Sequence, residues 1–323
     1  GNVSNYINYI LKDQNLSGSI NFTSKKVNID DFMAYNSGVS SNSTSAEEGV
    51  ILLPKNLDII INGNANEILF KDIKLNNFKG NLALKNGNLA LNETEFGMIG
   101  SIFNADGTYF PINAKKAKFS INMKAKNFDI QRAYKEVTLF REMVSAAEKA
   151  HGKISLDYHL EGDLGADFFP RLKTIKGEGV LTLEDIQFHG FKVFNSVAEK
   201  TSTDALHDAK VSKVNIKTTI KDNVITIERT KFKIAGFRPR IEGQVSLDGY
   251  INVGMRLGLP PFGIIGIPIK ITGPSDTFKV ETGKYQKEDL NETDDDYKDY
   301  QKSLEEEAAK KAEAEKADSK PKS

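Results

Sequence analysis

Between Leu57 and Phe128 the chain alternates apolar and polar residues, and this period of two constrains the fold more than any other feature. The segments "LDIII", "EILFKDIKL", "NLALKNGNLAL" and "KFSINMKAKNF" each place an apolar residue at every second position. A strand points successive side chains to opposite faces, so such segments build a sheet with one apolar side and one wet side. Turn chemistry sets how neighbouring strands meet. Asn86-Gly87 is a favoured type I′ pair, because both positions need positive φ. That turn puts Leu84 opposite Leu89 and Leu82 opposite Leu91, all on one side. In "IKTTIKDNVITIE" a turn at Asp222-Asn223 sets Ile220 against Ile225 and Thr218 against Ile227, with Lys217 meeting Glu228 on the wet face. "QVSLDGYINV" turns at Asp248-Gly249. The spacing therefore predicts an antiparallel meander, mainly β, with one apolar face.

One helix interrupts the strands, over about 129–150. Ile130, Ala133, Tyr134, Val137, Phe140, Val144 and Ala147 recur at helical spacing, with Asp129 as N-cap and Gly152 as C-cap. It has a face to bury, so it covers the sheet's apolar side or plugs an end. "FKVFNSVAEKTSTDALHDAK" predicts a second, weaker helix. The remaining organisation follows composition: residues 1–34 hold a short helix and a first strand, 35–49 form a flexible Ser/Asn-rich loop, and 50–283 form the main β region. Residues 284–323 form a charged tail, disordered or helical, with 9 basic and 13 acidic residues against 35 and 31 in the rest of the chain.

The most apolar segment is "LGLPPFGIIGIPIKITGPSDTFKV", Leu257 to Val280. A membrane-spanning helix is excluded, because Pro260, Pro261 and Pro268 remove backbone donors and clash with the preceding turn. "IPIKITG" alternates as a strand, with Ile267, Ile269 and Ile271 on one face. Two roles fit "LPPFGIIGIP". It is either the bent apolar end of the sheet, touching a membrane or a partner's apolar edge through Phe262, Ile264 and Ile265, or a buried closing loop.

Little in the chain points to chemistry. Lys plus Arg and Asp plus Glu are 44 each, so no global field draws the protein to nucleic acid. Tyr109 and Phe110 near Lys115, Lys116 and Lys118 lack the wider basic stripe that nucleic acid needs. There is no Cys, hence no disulfide framework or thiol catalysis. His151, His159, His189 and His207 lack metal-ligand spacing. Glu161, Asp163 and Asp167 share a loop without EF-hand spacing, and the glycines of "GEGVLTL" open a strand rather than a helix. No catalytic centre, metal or cofactor is expected. The first residues, "GNVSNYINYI", carry no targeting pattern, which fits a cytosolic protein or an excised fragment.

Three stretches resemble the C-terminal region of the AsmA family of envelope proteins (AsmA-, TamB- and YhdP-like). "IKGEGVLTLEDIQFHGFKV" is similar to the family's glycine-led strand, short turn and second strand, with Glu184-Asp185 where Asp-Gly is usual. "KFKIAGFRPRIEGQVSLDGYINVGMRLGLP" resembles its closing hairpins, and "GIPIKITGPSDTFKV" its terminal strands. The resemblance spans about Ser17 to Thr282. It implies a periplasmic protein held in the inner membrane by an N-terminal helix absent from this chain. It further implies an elongated curled sheet forming a β-groove, without catalytic residues, that carries phospholipid between inner and outer membranes.

The apolar face can be covered in two ways. A second sheet and the helix would close it into a sandwich or barrel. Alternatively the sheet curls and leaves a groove for acyl chains, on the order of 70 Å long if some 15 strands run as one ladder. In the groove reading Leu82, Leu84, Leu89 and Leu91 line it, together with Phe119, Ile121 and Met123 and, further on, Ile216, Ile220, Ile225 and Ile227. Expected partners are phospholipid and a membrane at one or both ends. An alternative function is a periplasmic scaffold or assembly adaptor that docks proteins, such as an outer-membrane β-barrel, through its sheet edges.

Overall fold

A computed structural model of the chain describes residues 1–12, 14–31, 50–143, 148, 150–188, 195, 198–199, 210–260, 262–275 and 277–283. The predicted loop at 35–49, most of the second helix and the tail at 284–323 lie outside the described residues.

The chain opens with β1 (Asn2–Ser4) and a short helix, α1 (Tyr6–Lys12), and continues through β2 (Leu16–Asn28), β3 (Leu57–Phe70), β4 (Ile73–Lys85), β5 (Asn88–Met98), β6 (Ser101–Asn113) and β7 (Lys116–Asp129). After a helical interruption come β8 (Ala150–Gly165), β9 (Lys176–Phe188), β10 (Lys210–Lys221), β11 (Val224–Lys231), β12 (Arg238–Ser246), β13 (Tyr250–Gly258), β14 (Gly266–Pro274) and β15 (Lys279–Thr282). All fifteen belong to one open, curled sheet in which spatial order equals chain order. Every pair is antiparallel except β2 and β3, which run parallel with Leu16 beside Leu57 and Asn28 beside Leu69. A parallel pair needs a long crossover, and residues 29–56 supply it. The uniform antiparallel meander expected from the turns is corrected at this joint.

Turn chemistry works as the residues require. Asn86 and Gly87 hold φ of 51° and 74°, and Asp222 and Asn223 hold 51° and 68°. Leu84 opposes Leu89, Leu82 opposes Leu91, Ile220 opposes Ile225 and Thr218 opposes Ile227. That ladder ends at Thr218, one residue short of the Lys217–Glu228 pair expected on the wet face. The wet face is laced instead by Lys116–Asp163 (2.8 Å), Lys124–Asp157 (3.0 Å) and Lys74–Glu67 (2.6 Å).

The simple alternation fails partway along several strands. The inward series passes from Leu91 to Thr94, from Ala125 to Phe128 and from Ile227 to Thr230, each step skipping an extra residue at a bulge. Glu93 (φ 50°) and Asn127 (φ 56°) sit at two of these slips. Their N–H groups are satisfied by Asp106 Oδ1 at 2.6 Å and Ser155 Oγ at 3.0 Å. A bulge bends its strand and increases local twist, so these slips help to curl the sheet.

Among the described residues the predicted helix over 129–150 is corrected to two short ones, α2 (Ile130–Glu136) and α3 (Thr138–Met143), while Val144 and Ala147 lie outside them. Asp129 caps α2 as expected, accepting from the Arg132 N–H at 2.8 Å. Val137 then leaves helical geometry (φ −123°, ψ 103°), and Asp72 Oδ2 caps α3 by accepting from the Thr138 N–H at 3.1 Å. Two adjacent β-branched residues and a carboxylate from β3–β4 outweigh the apolar spacing. Ala150 already belongs to β8, and Gly152 (φ 138°) is a bulge position there, not a C-cap. The buried faces of α2, Ile130 and Ala133, join a core with Phe103, Phe128, Ile154, Ile186 and Ile234. The helix therefore plugs one end of the sheet.

Candidate functional site on the apolar face

Cross-strand registers tie the predicted lining residues into one stripe, because directly opposed residues share a face. From Ile59 and Ile61 the stripe passes to Leu84 and Leu82, then to Leu89 and Leu91, and on to Tyr109 and Gly107. It continues to Phe119 and Ile121, with Met123 one step along, and reaches Leu160 and Tyr158. Gly177 links Leu160 to Ile220, and Leu181 links Leu156 to Ile216. Ile225 and Ile227 carry it into β12. All the residues assigned to the groove thus lie on one face. Apart from buried Ile220, they are only half-buried.

The stripe changes character along its length. Beyond the bulges the inward side chains enter the packed core under α2. In β13 and β14, Met255, Leu257, Ile269 and Ile271 are buried as well. The apolar face is consumed at the helical end and along the last strands, and left partly open between.

Glycines shape the open part. Tyr158 crosses over Gly179, and Leu160 over Gly177. A Cβ at those positions would stand 2.5 Å from Tyr158 Cγ and 2.7 Å from Leu160 Cδ2. Large side chains therefore lie flat across the neighbouring strand, filling the floor of a concave surface where outward-standing side chains would collide. The Tyr158 hydroxyl shares a 2.7 Å hydrogen bond with Thr218 Oγ1, and burial pushes its pKa up.

Three segments converge on Tyr109 and cover the stripe there. Residues 50–53 pass over it, with Val50 donating to Ala114 O (2.9 Å) and the Tyr109 hydroxyl donating to Ile51 O (3.0 Å). Phe168 stacks on Tyr109 with centroids 6.0 Å apart, and Phe70 meets Phe168 edge-on at 5.7 Å. The next residue on the β3–β4 turn, Lys71, donates to Asp167 O and lies 5.0 Å over the Phe169 ring. Together with Ile29, Leu53 and Leu89 the rings line an open apolar pocket of about 200 Å³. Burial raises the Tyr109 phenol to about 12. Phe168 holds φ of 60°, costly for a bulky side chain, so packing fixes it there.

The chain matches no family model, no curated protein and no solved structure.

In the "LPPFGIIGIP" segment Leu259 is half-buried and packs against the core, Ile264 and Ile265 are 48% and 73% exposed, and Phe262 is half-buried and lines a small cavity with Arg238 and Pro239. Of the acidic cluster, Asp163 pairs with Lys116 and Asp167 with Arg171. Hydrogen bonds from the Phe169 N–H and Arg171 outweigh burial and hold the Asp167 carboxyl below the usual range. His159 Nδ1 sits 2.9 Å from Asn122 Oδ1 on the wet face, and among the described residues no three His, Asp or Glu gather as metal ligands. Sequence reasoning missed Tyr109, Tyr158, Leu160 and Phe168. The first three were discoverable by extending the alternation through "TYFPI" and "ISLDYHL"; Phe168, on a loop, had no periodic signal.

Proposed function

We propose that the protein is a non-enzymatic envelope protein of AsmA-like type, which binds phospholipid and conducts it between inner and outer membranes along the apolar groove. The observation that supports this reading is the stripe from Ile59 to Ile227, continuous in register across nine strands and, apart from buried Ile59 and Ile220, half-buried at its apolar side chains. Acyl chains lie across the strands on Leu, Ile, Phe and Met side chains, each covered methylene contributing up to about 0.8 kcal/mol. Headgroups stay in water at the open side. Because successive strands offer similar apolar surface, a chain moving by one strand exchanges like for like, and the barrier to sliding stays low. The closure at Tyr109 and Phe168 then acts as a gate or an end stop.

Native mass spectrometry after mild purification tests the reading. Co-purified phospholipid, exchangeable with lipid from vesicles, is the expected result. A protein that emerges lipid-free and extracts none from vesicles overturns it.

One observation favours the scaffold alternative. β1 covers only Ser17 to Ser19 of β2, so the edge from Ile20 to Asn28 has no strand beside it among the described residues, and Ile20 and Phe22 are exposed there. An added strand from a partner, such as an outer-membrane β-barrel protein, would pair with that edge. Capture of such a strand by a lipid-free protein, lost on Ile20→Pro, supports this second reading.

A further inference from the structure

Leu89 and Tyr109 oppose each other on β5 and β6, and they belong both to the stripe and to the open pocket of about 200 Å³ beside Phe168. Every side chain that lines the pocket is apolar except for the Tyr109 phenol, whose hydroxyl already donates to Ile51 O (3.0 Å). Water inside gains little from those side chains, so hydrocarbon displaces it readily. An apolar cavity of about 150 Å³ takes a six-carbon ring, so by proportion this pocket holds about eight carbons.

The far wall is held in place by the loop after β8. The Phe169 N–H donates to Asp167 Oδ1 (3.0 Å), Arg171 Nη1 donates to Asp167 Oδ2 (3.1 Å), and Lys71 reaches over from the β3–β4 turn to donate to Asp167 O. Phe168, between them, keeps φ of 60°. A bulky residue at positive φ persists only where its surroundings over-determine it, and such residues gather at ligand clamps. Ile29, just past β2, and Leu53 complete the wall. Towards the groove the surface drops. Gly107, next to Tyr109 on the same face, opposes Leu91 and Ile121, and a Cβ there would lie 2.6 Å from Ser120 O. Bare backbone therefore leads from the pocket to the middle of the stripe.

We propose that this pocket seats the methyl end of an acyl chain, with the rest of that chain lying over Gly107 along the groove, so that the closure at Phe168 is an end stop. The lining selects the occupant. A headgroup or a peptide brings polar groups that would lose their water without gaining a partner, whereas the last carbons of an acyl chain bring none. Continuity with the stripe at Leu89 and Tyr109 selects a long chain over a small free hydrocarbon. The inference rests on the lipid reading above and adds to it a fixed site for one end of the lipid.

Quenching of a single tryptophan tests it. The chain has no Trp, so Leu52→Trp, at an exposed position next to the pocket wall, supplies the only indole. Two phosphatidylcholines are compared, one brominated on the last carbons of an acyl chain and one brominated near its carbonyl. Methyl-end bromines should quench several-fold more strongly. Bromobenzene, which matches the pocket in size and chemistry, should quench saturably, and adding Leu53→Asp should weaken it roughly tenfold or more by placing a carboxylate in the lining. Equal quenching by the two bound lipids, stronger quenching from the carbonyl end, or bromobenzene quenching that never saturates overturns the proposal, and none of these depends on the Leu53 variant folding. Quenching that disappears as the protein self-associates places a second copy in the pocket and overturns it too. Phospholipid in the groove is counted separately by native mass spectrometry. A chain that carries lipid but is quenched equally by both refutes this site alone, and one that saturates with bromobenzene while carrying no phospholipid refutes the groove alone.

Discussion

Ile121 lies mid-groove, opposite Gly107 on one side and Leu160 on the other, and is half-buried. A carboxylate there would meet an acyl chain with nothing to neutralise it. With strands ~4.8 Å apart, about four methylenes cross each strand, and burial of one side at roughly half of 0.8 kcal/mol each gives about 1.5 kcal/mol per strand. Losing that contact predicts about a tenfold weaker lipid affinity for Ile121→Asp. Further loss follows if the charge also disturbs the flanking strands. The control is Asn122→Asp, which adds the same charge to the same strand on the opposite, exposed face, where the hydrogen bond to His159 can be kept. Displacement of a fluorescent phospholipid, with thermal melts confirming that both variants are folded, measures the difference. Equal affinity in both folded variants and the unaltered chain would show that lipid does not use this face. An equal loss in both would show that charge acts at long range rather than by contact.

Other expectations follow from single sites. Phe168→Ala should cost about 2–3 kcal/mol in chemical denaturation through lost ring contacts, while Phe168→Gly should cost up to ~1 kcal/mol less, because glycine accepts positive φ; the reverse ranking would show that the backbone there is unstrained. Tyr109 keeps its proton to about 12 when folded but ionises near 10 when unfolded. The unfolded chain therefore releases the proton first, and stability falls as pH rises through that window. Tyr109→Phe should remove this component of alkaline unfolding, and an unchanged pH profile would place the ring in solvent. Thr94 is 2% exposed, and its Oγ1 has no hydrogen-bond partner among the described residues. Thr94→Val should therefore leave stability unchanged or raise it by about 1 kcal/mol, measured by denaturant midpoint; a clear loss would reveal a partner for the hydroxyl.

The hairpins were readable because they depend on local chemistry. Asn86-Gly87 and Asp222-Asn223 demand positive φ, and with a two-residue turn the register of Leu84, Leu89, Ile220 and Ile225 follows without tertiary information. Bulges were not readable. At Glu93 and Asn127 the phase slips by one residue through hydrogen bonds to Asp106 and Ser155, residues on neighbouring strands whose proximity no alternation count reveals. The helix after Asp129 shows the same limit. Its cap was local and correctly placed, but its break at Val137 depends on Asp72, far away in the chain. The groove's floor was largely readable as a stripe. Its cover at Tyr109 was not, because Phe168 arrives on a loop.

Spatial order that copies chain order has a mechanical consequence. Most strands lean chiefly on the one before and the one after, so the assembly behaves as a nearly one-dimensional stack whose length is a free variable. Removing or duplicating a whole hairpin changes the reach by two strand widths and asks for refitting chiefly where loops and helices cross the sheet, as at Leu89 with Phe168 and at Asp72 with Thr138. Selection could thus fit such a ribbon to spans of different width by simple duplication, and unfolding would be expected to fray from the ends rather than proceed in one step.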